Sequence, residues 1–168
     1  MDFSQDDTMS PYGEIWQFTR ERLAQSYQDL SPSQILWRPY PGGHNAGELI
    51  YHIAGVEAWF ATRMTGGDAT ADVQRLMEAA RATFITEDSF PYGDDDMEMA
   101  RLDAVLAQAA DLVGPVVRNP TEGQLTMDVE TVIGPVVSGV ACLWRLAQHA
   151  AYHTGQIWTY RQDPDFPS

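Results

Sequence analysis

Apolar residues recur at steps of three and four along separate stretches of the chain, and that spacing predicts amphipathic helices. The first runs from about Pro11 to Leu30, with Trp16, Leu23, Tyr27 and Leu30 on one side. Ser10 stands before it as a cap, and Pro11 suits a first helical position, where its missing N–H would have had no partner. The stretch LSPSQILWRPYPGG then interrupts the pattern with three prolines and two glycines. A second helix begins near Asn45, where NAGE has the form of a capping box, and its core side is Leu49, Ile53, Val56 and Phe60. TGGD ends it at about residues 65–68.

Beyond that point the pattern is less regular. ADVQRLMEAARATF predicts a short helix, and ITEDSFPYGDDD reads as a loop. A third helix follows Asp96, with Met99, Leu102, Leu106, Ala109, Val113 and Val116 in register, and Gly114-Pro115 is expected to end or kink it. GQLTMDVETVIG, with its β-branched residues between turn residues, predicts a small hairpin. The fourth helix is read from Pro135 to about Arg161, with Val137, Val140, Trp144, Ala147 and Ala151 as an apolar stripe. Four such helices with little strand predict an all-α protein: a four-helix bundle with a short extra helix and a small hairpin in its connections. One domain over residues 1–168 is expected, with residues 1–9 a flexible start and 164–168 a C-terminal tail.

Composition narrows the function classes. With 44% hydrophobic and 11% aromatic residues the chain can bury a real core. Its net charge is −14, it has no lysine, and its ten basic residues are all arginine. Phosphate backbones and anionic lipid repel such a chain, so neither nucleic acid nor membrane is expected as a partner. It has no apolar run of membrane-spanning length, and MDFSQDDTMS is too acidic and polar for a signal peptide, which predicts a cytoplasmic protein. Cys142 is the single cysteine, which excludes an internal disulfide and a multi-cysteine zinc site.

Candidate chemistry is concentrated in the histidines, of which there are four. Two of them form HAAYH at residues 149–153, one helical turn apart, so their rings can converge. Cys142, Leu146, His149, His153 and Ile157 fall on one line of the fourth helix. The pair lacks the glutamate of a helical HExxH protease motif. A transition metal needs a third ligand, and His52, on the second helix beside its core stripe, is the candidate; the alternative is a set of half-buried histidines bonded to backbone or solvent. Three neutral imidazoles would leave positions open for water or substrate. Glu48 reads either as the capping partner of Asn45 or as a group that orients His52 or acts as a base, and Gln156 as a pocket or solvent-facing residue. His44 lies about 12 Å of helical rise from His52, too far to share an ion, and Cys142 lies two turns from His149. No Ser-His-Asp set, phosphate-binding glycine loop or nucleotide fingerprint is present.

LSPSQILWRPYPGGHNAGELIYHIAGVEAWF, followed about a hundred residues later by HAAYHTGQI, resembles the DinB/YfiT-like superfamily, most closely over residues 30–60 and 140–161. The resemblance implies a four-helix bundle, usually dimeric, that binds a divalent metal ion (zinc, nickel or iron in different members) through three histidines. Matched motif by motif, these are His52, His149 and His153. Members of that family with known activity use low-molecular-weight thiols such as bacillithiol, mycothiol or glutathione for S-transfer or isomerisation, and some relatives are amidohydrolase-like. The resemblance therefore implies a metal-dependent transferase or hydrolase, or else a non-catalytic metal-binding stress-response protein. Family sequences often carry arginine after the last histidine. Here the residue is Thr154, so a role for that arginine does not carry over.

Overall fold

The structure, a computed structural model, describes residues 9–131, 134 and 136–168. Its long helices are α1 (Pro11–Tyr27), α3 (Ala46–Thr65), α5 (Met99–Arg118) and α7 (Gly139–Tyr160). Shorter helices α2 (Pro32–Ile35), α4 (Ala71–Ala79) and α6 (Glu122–Thr126) lie in the connections, with a single 3₁₀ turn at Asp94–Asp96. Two strands, β1 (Asp128–Val129) and β2 (Val137–Ser138), pair antiparallel.

Caps fix the helix starts. Ser10 and Ser138 accept bonds from the backbone of Gly13 and Ala141, and Asn45 and Glu48 form the reciprocal capping box that NAGE predicts. Gly66 ends α3 in the left-handed conformation, at φ 67°.

Contacts at the helix ends give the directions. The amide of Ser10 bonds the carbonyl of Arg118 at 2.9 Å, and Tyr27 donates to Asp103 at 2.7 Å, so α1 and α5 run antiparallel. Arg161 meets Asp29 at 2.6 Å just beyond both helix ends, so α1 and α7 run parallel. Tyr51, early in α3, reaches the carbonyl of Asp96 just before α5 at 3.1 Å, so these two helices are also parallel. α1 packs mainly on α7 and α5, and α3 mainly on α5 and α7, so each long helix has one parallel and one antiparallel neighbour. Two consecutive long helices that run parallel need a crossover along the whole bundle, about 30 Å for a 20-residue helix. Residues 66–98 make that crossover, and α4 lies within it, packed on α3.

The core has two parts. Leu23, Tyr27, Ile50, Ile53, Leu102 and Ile157 belong to one, and Trp16, Phe60, Val113, Val117, Leu143 and Leu146 to the other. Glu57 lies fully buried on α3, where it accepts a bond from Trp16 Nε1 at 2.9 Å and pairs with Arg20 Nη1 at 3.4 Å. Burial pushes the Glu57 carboxyl up against the opposing pull of Arg20 and Trp16. Arg20 also donates to the carbonyl of Leu106, so one polar group ties three helices together.

Several boundaries differ from the sequence expectation. The first helix ends at Tyr27, although Leu30 is still buried. α2 forms inside the proline-rich break, because Ser31 caps it and Pro32 occupies its first turn. α5 runs through Pro115 to Arg118: only the last turn loses a bond there, and Val116 and Val117 are buried. The hairpin is displaced, with Gln124 and Leu125 helical and its second strand at Val137–Ser138. The last helix begins at Gly139; the expected start at Pro135 lies outside the described residues. The stripe through Trp144 is not the core face, since Trp144 is 63% exposed, and the buried line is the one through Cys142, Leu146, His153 and Ile157. Residues 1–8 lie outside the described residues, while the C-terminal tail is docked, with Phe166 edge-on to Trp37 and the Pro167 carbonyl accepting from Gln34.

Candidate metal centre

Each histidine of the centre is positioned by its helix and then by a second bond. His52 sits on the buried side of α3, 4% exposed. Its Nδ1 lies 3.0 Å from the carbonyl oxygen of Ala79. Ala79 is the last residue of α4, where helical carbonyls lack intrahelical partners and carry the negative end of the helix dipole. That carbonyl can only accept, so Nδ1 carries the proton and the lone pair is on Nε2. α4 comes this close because Gly55, three residues after His52, has no side chain: a Cβ there would stand 2.5 Å from the Leu76 carbonyl oxygen.

His149 and His153 lie on the buried line of α7. His153 Nδ1 lies 2.6 Å from Gln156 Oε1, an acceptor one turn further on, so its lone pair too is on Nε2. The Nε2 atoms of His52 and His149 are 3.0 Å apart, and those of His149 and His153 3.1 Å. One proton on His149 could serve only one neighbour, which leaves bare lone pairs facing one another. A cation resolves this. Three nitrogens at bonding distance from one tetrahedral ion would stand about 3.3 Å apart, close to the two spacings that His149 makes, and all three ligand atoms lie within 4.8 Å of one another. Among the described residues this is the group that can hold a metal ion.

Electrostatics keep the site ready for a cation. Burial, with repulsion from the neighbouring histidines, pushes His52 down to about 3 and His149 down to about 2. His153 is also lowered, by burial that outweighs the Gln156 bond. All three imidazoles are therefore neutral at neutral pH, the form that binds metal.

The cluster opens onto a cavity of about 360 Å³ between α3, α7 and the crossover. Phe84 stacks on His52 with ring centroids 3.7 Å apart, and His44 stacks on the other face of Phe84, also at 3.7 Å. The backbone just before this ring is strained: Thr83 has φ 62°, a conformation that β-branched residues rarely adopt. A bond from Thr83 N to Thr86 O holds the turn.

The other sequence candidates fall into place around this. Gln156 lines the cavity and holds His153. The Glu48 carboxylate is directed to Arg38, in two bonds of 2.6 and 2.7 Å, to the Asn45 amide and to His44 at 3.5 Å. The Nδ1 partner of His52 is the Ala79 carbonyl. Thr154 is buried and bonds the Ala150 carbonyl, so the position after the last histidine faces the core. Cys142 is fully buried in the far core cluster. Sequence reasoning missed Ala79, Gly55, Phe84 and the cavity arginines Arg81 and Arg145. Of these only Arg145 had a visible signal, its place one turn before His149.

No curated protein matches the chain. A crystal structure of a conserved protein from Enterococcus faecalis is similar in fold, with a TM-score of 0.67 over 90% of this chain and 93% of that one at 16% identity. The family model of the DinB superfamily matches residues 15–157, a span that holds all three histidines and the four long helices almost entire. The protein belongs to the DinB superfamily.

Proposed function

We propose that the protein is a divalent-metal-dependent enzyme that transfers a low-molecular-weight thiol to an electrophile, with zinc or nickel as the resident ion and iron as the alternative. The observation that carries this reading is the convergence of three Nε2 atoms, two of them stripped of their protons by outward bonds, on the floor of an open cavity. His52, His149 and His153 hold the ion. When bound, such an ion lowers the pKa of a thiol or water in its open position toward neutrality. Gln156 acts as a positioning residue for His153. Glu48 acts at one remove, by fixing Arg38 and His44 behind the Phe84 wall. The apolar walls, among them Val56, Trp59 and Phe84, exclude water from the reacting groups. The setting is a homodimer in the cytoplasm. The unpaired cysteine fits that compartment, and the exposed Ile15 and Phe18 on α1 offer apolar surface for a second copy. Among the described residues no helix is long and apolar enough to cross a membrane.

Elemental analysis of protein purified without a nickel column tests the metal. Close to one equivalent is expected in the wild type and less than a tenth in His153→Ala; an empty wild type whose melting temperature is unmoved by added zinc or nickel ends the metal reading. A fluorescent thiol-conjugation assay then tests the chemistry. A wild-type rate no higher than that of His52→Ala would leave a metal-binding protein without this activity.

A further inference from the structure

The charged groups around the cavity run against the composition of the chain. Acidic residues outnumber basic ones 24 to 10, yet among the described residues no aspartate or glutamate lines the cavity. The charged side chains that do line it are Arg81 and Arg145. Among the described residues, the arginines in ion pairs are Arg20, Arg38, Arg75, Arg101 and Arg161. Arg81 and Arg145 are thus free of carboxylates in a protein with a large excess of them, and both are exposed at the rim. They sit on different elements. Arg81 belongs to the crossover turn beside Phe84, and Arg145 to α7, one turn before His149 and on the same face. The rim is therefore a positive patch on a protein of net charge −14, above walls that are mostly apolar.

We infer that the cavity takes a small molecule with an apolar body and an anionic oxyacid group, the anion held at the rim by Arg81 and Arg145. This deepens the proposed function and rests on the same cavity. It commits the ligand to two ends: a donor atom that reaches the three histidines and a carboxylate, phosphate or sulfonate one helical turn away, about 6 Å along α7. Guanidinium groups suit the second end, because their planar donor fork matches two oxygens at once. The net negative charge of the chain disfavours such a ligand over most of the surface, so these two arginines also direct its approach.

The test uses 4-(mercaptomethyl)benzoate and its uncharged amide, titrated calorimetrically into zinc-loaded and metal-free protein at low salt. The carboxylate is expected to bind about tenfold tighter than the amide in both forms, the scale of a charge-assisted hydrogen bond. In Arg81→Gln/Arg145→Gln that preference should vanish while zinc content and amide affinity stay as in the wild type. Equal binding of the two probes to the wild type overturns the inference, and so does a preference that survives in the double variant. Failure of the metal reading looks different: no zinc is retained, while the metal-free protein still prefers the carboxylate.

Discussion

Gly55 touches the backbone of Leu76 so closely that a Cβ at residue 55 would stand 2.5 Å from the Leu76 carbonyl oxygen and 2.9 Å from the amide of Ala80. Backbone cannot step aside as a flexible side chain can, so Gly55→Ala must push α4 away from α3. The Ala79 carbonyl moves with α4, and His52 loses the acceptor that fixes its tautomer. Zinc affinity is expected to fall about 10–100-fold, the usual consequence of removing such an outer partner. Overpacking should cost about 1–3 kcal/mol of stability in urea unfolding. An unchanged zinc affinity in calorimetry would separate the helix contact from the site.

Gln156 supplies the matching acceptor for His153. Gln156→Leu removes it and should weaken zinc binding by about tenfold or more, whereas Gln156→Glu, which retains an acceptor, should keep it. Both variants change the same half-buried helix position, so a merely structural role would lower them alike. Competition against a chromogenic chelator reads the difference.

Glu48 makes acid stability a property of the α3 cap. Burial alone would raise its pKa, but the bonds from His44, Arg38 and the Asn45 amide outweigh it and bring the carboxyl to about 2, below its ordinary 4.5. The folded state therefore holds this proton more weakly than the unfolded one. The contribution is present above about pH 4.5 and is lost as pH falls toward 2, on the order of 2–3 kcal/mol once solvent screening at this partly buried site is allowed for. In metal-free protein, Glu48→Gln should be less stable than the wild type near pH 6, and the gap should close on acidification through that window. A gap that stays constant with pH would refute the assignment.

Arg20 and Glu57 form a buried ion pair that belongs to the bundle and not to the cavity. Arg20→Leu leaves a fully buried carboxylate with only Trp16 beside it and should cost about 3–5 kcal/mol. Pairing that change with Glu57→Leu should recover much of the loss, because no uncompensated charge remains. A double variant as unstable as Arg20→Leu alone would show that the loss came from packing.

How much of this was legible in the sequence depended on which interactions were local. The starts of α1 and α3 were readable because a cap and its partner lie within three residues of each other, as Asn45 and Glu48 do. The pair His149 and His153 was readable as one turn of a helix, and His52 joined them through its place beside the α3 stripe. The partners of those histidines were harder to see. Ala79 acts through a backbone carbonyl, which has no residue signature, and Phe84 reaches His52 from a strained turn 32 positions away. The stripe through Trp144 misled because α7 has apolar residues on two sides, and spacing alone does not say which side meets the other helices. Pro115 misled for a different reason: a proline in a last turn removes a single bond, and burial of the residues after it compensates.

The parallel arrangement of α3 and α5 has a consequence for how such a protein can be altered. It forces one long excursion of the chain, and that excursion supplies Arg81, Phe84 and Ile85 to the cavity while all three histidines come from α3 and α7. The ligands of the ion thus lie outside an excursion that supplies part of the cavity wall. Grafting a different segment over residues 81–93, with α4 and its Ala79 carbonyl left in place, should exchange the range of molecules accepted without disturbing the ion that acts on them.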